Sequence, residues 1–299
     1  MVAMVFSFLS ASSLAESVYS TKRPVVVDAR SFGEYAMGHL PGAIWIDWQS
    51  FCQAAPADAG AVLGLPGYWG VLADPGRARF AARLSSLGLN NEDQIVVYGG
   101  GPASKGSDGR VAWLLLYLGA SRVSLVQDGW AGWLAARQEL STRPTVPAEG
   151  EFAITLDERR RITLAEITAL DGSSIVPVLI DTRSVDEYSG LEFDYQPRKG
   201  RLPGSQLLPF EGMFDSNGAY LGKREYLSWL GPDLAAVRQV VAYCEVGVRA
   251  SSFALMHEAY TGTIVAVYDG SIMEWAYHRQ LPVLSDVNTC NTISQPTQT

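Results

Sequence analysis

Pro24-Val25-Val26-Val27-Asp28-Ala29-Arg30-Ser31 and Pro177-Val178-Leu179-Ile180-Asp181-Thr182-Arg183-Ser184 are two copies of one pattern. Each is a short apolar run ending in Asp-x-Arg-Ser, and each leads into Glu-Tyr, at Glu34-Tyr35 and at Glu187-Tyr188. Working outward, Gly38-His39-Leu40-Pro41-Gly42-Ala43 matches Gly200-Arg201-Leu202-Pro203-Gly204-Ser205. Gln94-Ile95-Val96-Val97-Tyr98 matches Gln239-Val240-Val241-Ala242-Tyr243. Val123-Ser124-Leu125-Val126-Gln127-Asp128-Gly129-Trp130 matches Val265-Ala266-Val267-Tyr268-Asp269-Gly270-Ser271. Matches that keep their order along the chain mark a repeat of a whole domain.

Within each copy, short β-branched runs alternate with segments of helical period. Continuous apolar strands between helices predict a parallel sheet with helices on both faces. The fold class is therefore α/β, as two similar domains. Strands are expected near Val25–Val27, Ile44–Ile46, Ile95–Tyr98 and Val123–Val126, then near Val178–Ile180, Gln206–Leu208, Val240–Tyr243 and Ile264–Tyr268. A first strand over Val2–Phe8 is expected to lead into a short helix, Ser13–Val18, capped by Ser12 or Ser13. The Pro-rich stretch Ser141–Gly150 suits an exposed connector. The expected division is an N-terminal domain over 1–142, a linker over 143–160, a C-terminal domain over 161–285 and a loose tail over 286–299. The mixed cluster Asp157-Glu158-Arg159-Arg160-Arg161 reads as solvated linker.

Composition narrows the function. The 299 residues suit two domains at roughly 100–200 residues each. With 47% hydrophobic and 18% charged residues the chain is not disordered. A formal net charge of -8 argues against nucleic-acid partners, which are held by Lys and Arg contacts to phosphates. No apolar run reaches the ~18–20 residues of a membrane helix. The first basic residue is Lys22, so the early apolar stretch lacks the basic start of a signal peptide, and a cytoplasmic protein is expected. His39, His257 and His278 are isolated and no C-x-x-C pair occurs, so no metal site is expected.

The copies differ after their third matched strand. The second continues Tyr243-Cys244-Glu245-Val246-Gly247-Val248-Arg249-Ala250 and then a helical segment. The first continues Tyr98-Gly99-Gly100-Gly101-Pro102-Ala103-Ser104-Lys105-Gly106, longer and without cysteine. In open α/β sheets ligands sit beyond the carboxyl ends of the strands. A short loop there turns successive N–H groups into a nest, and the next helix adds its positive end. Both favour a thiolate over a thiol, which makes Cys244 a candidate nucleophile. Gly247 permits the curl and Arg249 adds a positive charge. Cys52 and Cys290 read as small buried hydrophobes. Phosphatases that use C-x5-R need a loop one residue longer than the C-x4-R from Cys244 to Arg249.

These residues resemble the tandem-domain rhodaneses, the thiosulfate and 3-mercaptopyruvate sulfurtransferases. The likeness rests on Asp28-Ala29-Arg30, Asp181-Thr182-Arg183, the two Leu-Pro-Gly steps, the loop Cys244–Arg249 and the ending Asp269-Gly270-Ser271-Ile272-Met273-Glu274-Trp275. It covers nearly the whole chain. It implies a catalytically silent N-terminal domain, which fits Gly99 in the place of a cysteine. It also implies double displacement: Cys244 takes the sulfane sulfur of a small donor as a persulfide and passes it to cyanide or a thiol. The backbone N–H groups of Glu245, Val246, Gly247, Val248 and Arg249 would stabilise the persulfide. No metal or organic cofactor is implied.

The resemblance has departures. Mercaptopyruvate-preferring members carry small neutral loop residues and thiosulfate-preferring members basic ones, whereas Glu245 is acidic and disfavours a dianionic donor. Glu187 stands where the family often has a donor-binding arginine. Arg198, Lys199 and Arg201, ahead of the second Leu-Pro-Gly step, are the replacement cations considered, and Arg183 is a further candidate contact. Asp28, Arg30 and Asp181 read as scaffold. His257, Trp130 and Trp275 read as packing residues. The alternative function is a persulfide carrier that receives sulfur from a partner protein.

Overall fold

The computed structural model describes residues 5–18, 20, 23–73, 77–170, 176–192 and 196–286. Cys290 and the expected tail beyond Asp286 lie outside the described residues, as do the first three positions of the expected first strand. Two five-stranded sheets are formed, each parallel throughout. The first contains β1 (Val5–Leu9), β2 (Val25–Asp28), β3 (Ile44–Trp45), β4 (Gln94–Tyr98) and β5 (Arg122–Val126), in the order β1-β5-β4-β2-β3. The second contains β6 (Arg161–Ile162), β7 (Val178–Asp181), β8 (Gln206–Leu207), β9 (Val240–Tyr243) and β10 (Ala266–Tyr268), in the order β6-β10-β9-β7-β8. The order is the same in both sheets, so the sequence repeat is a repeat of topology.

Alternation along the central strands fills both faces. Ile95 and Val97 enter one apolar cluster while Val96 and Tyr98 enter another. Val240 and Ala242 likewise face away from Val241 and Tyr243. This is the period-two pattern of a doubly covered sheet.

The repeated Asp-x-Arg steps serve the same geometry twice. Arg30 and Arg183 fold back on Asp28 and Asp181 with Nη2–Oδ2 separations of 2.6 Å in both pairs. Each guanidinium also donates to the carbonyl that opens the Leu-Pro-Gly step, Gly38 at 2.7 Å and Gly200 at 2.9 Å. The strand-end tyrosines close the motif, with Leu40 N–H donating to Tyr98 Oη at 3.3 Å and Leu202 N–H to Tyr243 Oη at 3.1 Å. Both ion pairs are buried, so their charges are met by each other and by backbone.

Three expectations are corrected. The first helix is Ala11–Val18, begun two residues earlier than expected, because Ser10 Oγ accepts from Ser13 N–H at 3.1 Å. The second domain also has a fifth strand, β6, the counterpart of β1. The cluster Asp157–Arg161 is not solvated as a whole: Arg160 is buried, pairing with Asp157 at 3.1 Å and with Glu258 at 2.5 Å. Arg161 reaches Asp269 at 3.0 Å. Such convergence of charges distant in sequence is invisible in a local reading.

The two domains share one core. The helix Ser107–Leu118 of the first lies against the helix Val248–Thr261 of the second. Trp113, Leu116, Phe253 and Met256 belong to a single buried cluster. Gly109 permits the close approach, since a Cβ there would stand 2.7 Å from Ser252 Cα. Tyr220 spans the seam, donating to Asp108 Oδ1 at 3.1 Å with Ser252 Oγ at 3.3 Å. Among the described residues no helix is long and apolar enough to cross a membrane.

Candidate active site

Cys244 follows the last residue of β9, at the carboxyl end of the sheet, and is 1% exposed. The chain then curls through Glu245, Val246 and Gly247 into the 14-residue helix Val248–Thr261. Gly247 carries the curl in the left-handed region, φ 79° and ψ 0°. A Cβ there would meet the Asp269 backbone oxygen at 2.8 Å, so glycine is required twice over. Among the described residues, the backbone N–H groups of Glu245, Val246 and Gly247 have no hydrogen-bond acceptor. Free N–H groups around a helix start are the ingredients of an anion cradle.

The ending Asp269-Gly270-Ser271 fixes this loop from the side. Ser271 Oγ accepts from Cys244 N–H at 3.1 Å and donates to Tyr268 O at 2.7 Å. Ile272 N–H and Met273 N–H donate to the carbonyls of Cys244 and Glu245, both at 3.2 Å. Ser271 thus aligns the backbone of Cys244, a role not drawn from the sequence although the motif itself was visible there.

The charges at the loop are paired. Arg249 is buried and grips Glu187 through two hydrogen bonds of 2.7 Å, with Glu245 at 3.6 Å. Burial opposes ionisation of Glu187, but the hydrogen bonds and charge of Arg249 outweigh it and hold the carboxyl at about 2. Glu245 is pushed above the usual carboxylate range, first by burial and then by Glu187, while Arg249 and Lys105 pull the other way. Lys105 comes from the first domain, from the loop that replaces the cysteine loop there. Its influence on Glu245 was not anticipated, because the two residues are far apart in sequence.

The other candidate cations are occupied with structure. Arg198 donates to the carbonyls of Trp275, Ala276, His278 and Leu281, capping the helix Ser271–Tyr277. Arg201 bonds Tyr188 O at 3.3 Å and Asp286 at 2.8 Å. Lys199 lies beside them, exposed. Arg183 is fully buried against Asp181. His257 is buried with Nδ1 3.1 Å from Tyr226 Oη, and burial lowers its pKa to about 4. Cys52 lies by Trp48 O and Gly70 O, and burial raises its thiol to about 11.

Among its described residues the first domain forms no such cradle. Asp108 fills the corresponding space: a Cβ on Gly99 would fall 2.7 Å from its carboxyl carbon.

Comparison with known proteins agrees on family. The profile of the rhodanese-like domain matches twice, over residues 10–136 and 165–278. The thiosulfate sulfurtransferase of Corynebacterium glutamicum is 29% identical over 296 residues, spanning 96% of this chain and 93% of the relative. That of Gallus gallus is 28% identical over 258 residues, covering 85% and 83%. A probable 3-mercaptopyruvate sulfurtransferase of Pseudomonas aeruginosa is 30% identical over 254 residues, covering 83% and 85%. Among solved structures, wild-type EanB superposes with a TM-score of 0.76 at 19% identity, over 91% of this chain and 68% of that one. YnjE gives 0.74 at 22% identity, over 93% and 68%. At these identities the two structures speak for the fold.

Proposed function

The chain belongs to the rhodanese-like domain family and is a sulfurtransferase, and from that premise we propose that Cys244 carries the sulfur as a persulfide. The Cys244 thiolate attacks the transferable sulfur of a small donor. With 3-mercaptopyruvate, a sulfur–sulfur bond forms on Cys244, the donor's carbon–sulfur bond breaks, and the electron pair stays on carbon as the enolate of pyruvate, which takes up a proton. With thiosulfate, a sulfur–sulfur bond forms on Cys244, the donor's sulfur–sulfur bond breaks, and sulfite leaves with the electron pair. Cyanide or a thiolate then attacks the outer sulfur of the persulfide and regenerates the Cys244 thiolate. Residues 161–285 carry this chemistry and residues 1–142 serve as scaffold. The observation that carries the proposal is the loop after β9, where the cysteine stands among unpaired N–H groups at a helix start.

Thiosulfate and 3-mercaptopyruvate are the donors considered. The pairing of Arg249 with Glu187 leaves the loop without an uncommitted arginine of its own, and Glu245 adds an acidic group. That arrangement works against a dianion and favours 3-mercaptopyruvate, a monoanion, over thiosulfate. It also supports the second reading, in which a partner protein delivers sulfur and no small anion needs to be held.

The test is sulfur transfer to cyanide from each donor, with Cys244→Ser beside the wild type. Thiocyanate formed by the wild type and abolished in C244S is the expected result. An adduct of about 32 Da on Cys244, without turnover of either donor, would favour the carrier. The absence of both turnover and adduct would remove Cys244 from its proposed role.

A further inference from the structure

We propose that Arg110, carried by the domain that lacks the cysteine, is a positioning residue for the Cys244 loop. The inference rests on the persulfide role of Cys244 and assigns a part of that chemistry to the other half of the chain. Arg110 is fully buried. Its Nη2 donates to Gly70 O at 2.7 Å. The guanidinium carbon lies 4.8 Å from the Trp113 ring centroid and 5.9 Å from that of Trp48. Nη1 is buried without an oxygen or nitrogen acceptor. The guanidinium also lies against the Cys52 thiol, whose pKa it pulls down against the effect of burial, and among the described residues Arg110 makes no ion pair.

One end of this fork meets the loop directly and the other through Gly70. A Cβ on Gly247 would fall 3.1 Å from Nη1, which sets Nη1 against the left-handed residue of the loop. A Cβ on Gly70 would overlap the Val246 carbonyl and stand 2.5 Å from the Asp269 backbone oxygen. The adjoining Leu72 N–H donates to Asp269 Oδ2 at 2.8 Å. Arg110 therefore fixes Gly70, Gly70 abuts Val246, and Nη1 abuts Gly247. Two successive loop residues are braced from the first domain.

A buried guanidinium without a carboxylate is unfavourable unless something else requires it there. The charge of Arg249 is met by Glu187, whereas among the described residues Arg110 has no carboxylate within ion-pair distance. It faces the loop in which a sulfur anion forms. Bracing a cradle that holds the reacting anion changes the chemical step and not the capture of donor, because Arg110 lies behind the loop.

The full-length chain is compared with Arg110→Gln, which keeps a donor for Gly70 O and removes the charge, and with Arg110→Lys, which keeps the charge. Turnover is measured with thiosulfate or 3-mercaptopyruvate, whichever the wild type uses faster, and cyanide. Alkylation of Cys244 by iodoacetamide is followed by peptide mass mapping. In folded R110Q we expect kcat to fall about tenfold with KM unchanged, and Cys244 alkylation to slow several-fold. R110K is expected to recover to about two- to threefold below wild type. Wild-type kcat in folded R110Q, or a rise in KM alone, overturns the proposal. Should R110Q not fold, wild-type kcat and alkylation rate in R110K overturn it. A wild type that neither turns over nor gains sulfur removes the persulfide role instead, and the alkylation rates still decide Arg110.

Discussion

Glu187 answers to two partners at once. Its carboxylate accepts from Ser184 N–H at 2.9 Å, closing a capping box on the helix Val185–Ser189, and it receives both arms of Arg249. The sequence shows an acidic residue at this position, where the family resemblance implies an arginine. It does not show the partner, which lies 62 residues away and meets Glu187 only once β7 and β9 are side by side. A carboxyl held at about 2 contributes stability that is fully present above about pH 4.5 and is lost as pH falls through about 2. Urea unfolding of wild type and Glu187→Gln across pH 2–6 checks this. The wild type is expected to exceed E187Q by roughly 3 kcal/mol near pH 6, with the difference shrinking below about pH 4.5. A difference that stays constant with pH would show that the carboxylate charge is not what counts.

At the scale of elements, the strand–loop–helix unit occurs twice with opposite outcomes. After β9 the loop is three residues between Cys244 and the helix, and the N–H groups remain free. After β4 it is longer, passes through Lys105 and Gly106 at positive φ, and returns Asp108 against Gly99. Gly99→Cys in a C244S background is expected to give no sulfur transfer and to lower stability by roughly 1–3 kcal/mol, because the new side chain collides with a buried carboxyl. A Tm scan and a persulfide mass measurement decide it. The Cys244 loop was legible because a cysteine between a strand and a glycine-started helix is a local pattern. The occlusion of its twin was not, since it depends on where the Asp108 side chain turns. β6 was missed for a related reason: Arg161 and Ile162 make a strand by pairing with β10, not by forming an apolar run.

For the whole molecule, the decisive feature is that the halves are packed as one body through Gly109, Ser252 and Tyr220. The repeat in the sequence announces two domains, and nothing local in it announces that one braces the other. Asp108 sits in this seam with its carboxyl raised to about 6, chiefly by burial. An acid raised in the folded state contributes stability that is fully present below about pH 4 and is lost as pH rises through about 6. Unfolding free energies of wild type relative to Asp108→Asn are therefore expected to decline from pH 4 to pH 7, and a flat difference would show that Asp108 stays ionised. Asp108 also makes the asymmetry of the chain hard to undo. Restoring a thiol at Gly99 requires Asp108 to be gone, and removing Asp108 strips Tyr220 of its acceptor across the seam. Each change alone is expected to cost stability, and even the two together would leave the longer loop after β4 in place. The specialisation of the copies is thus guarded by epistasis: no single substitution undoes it.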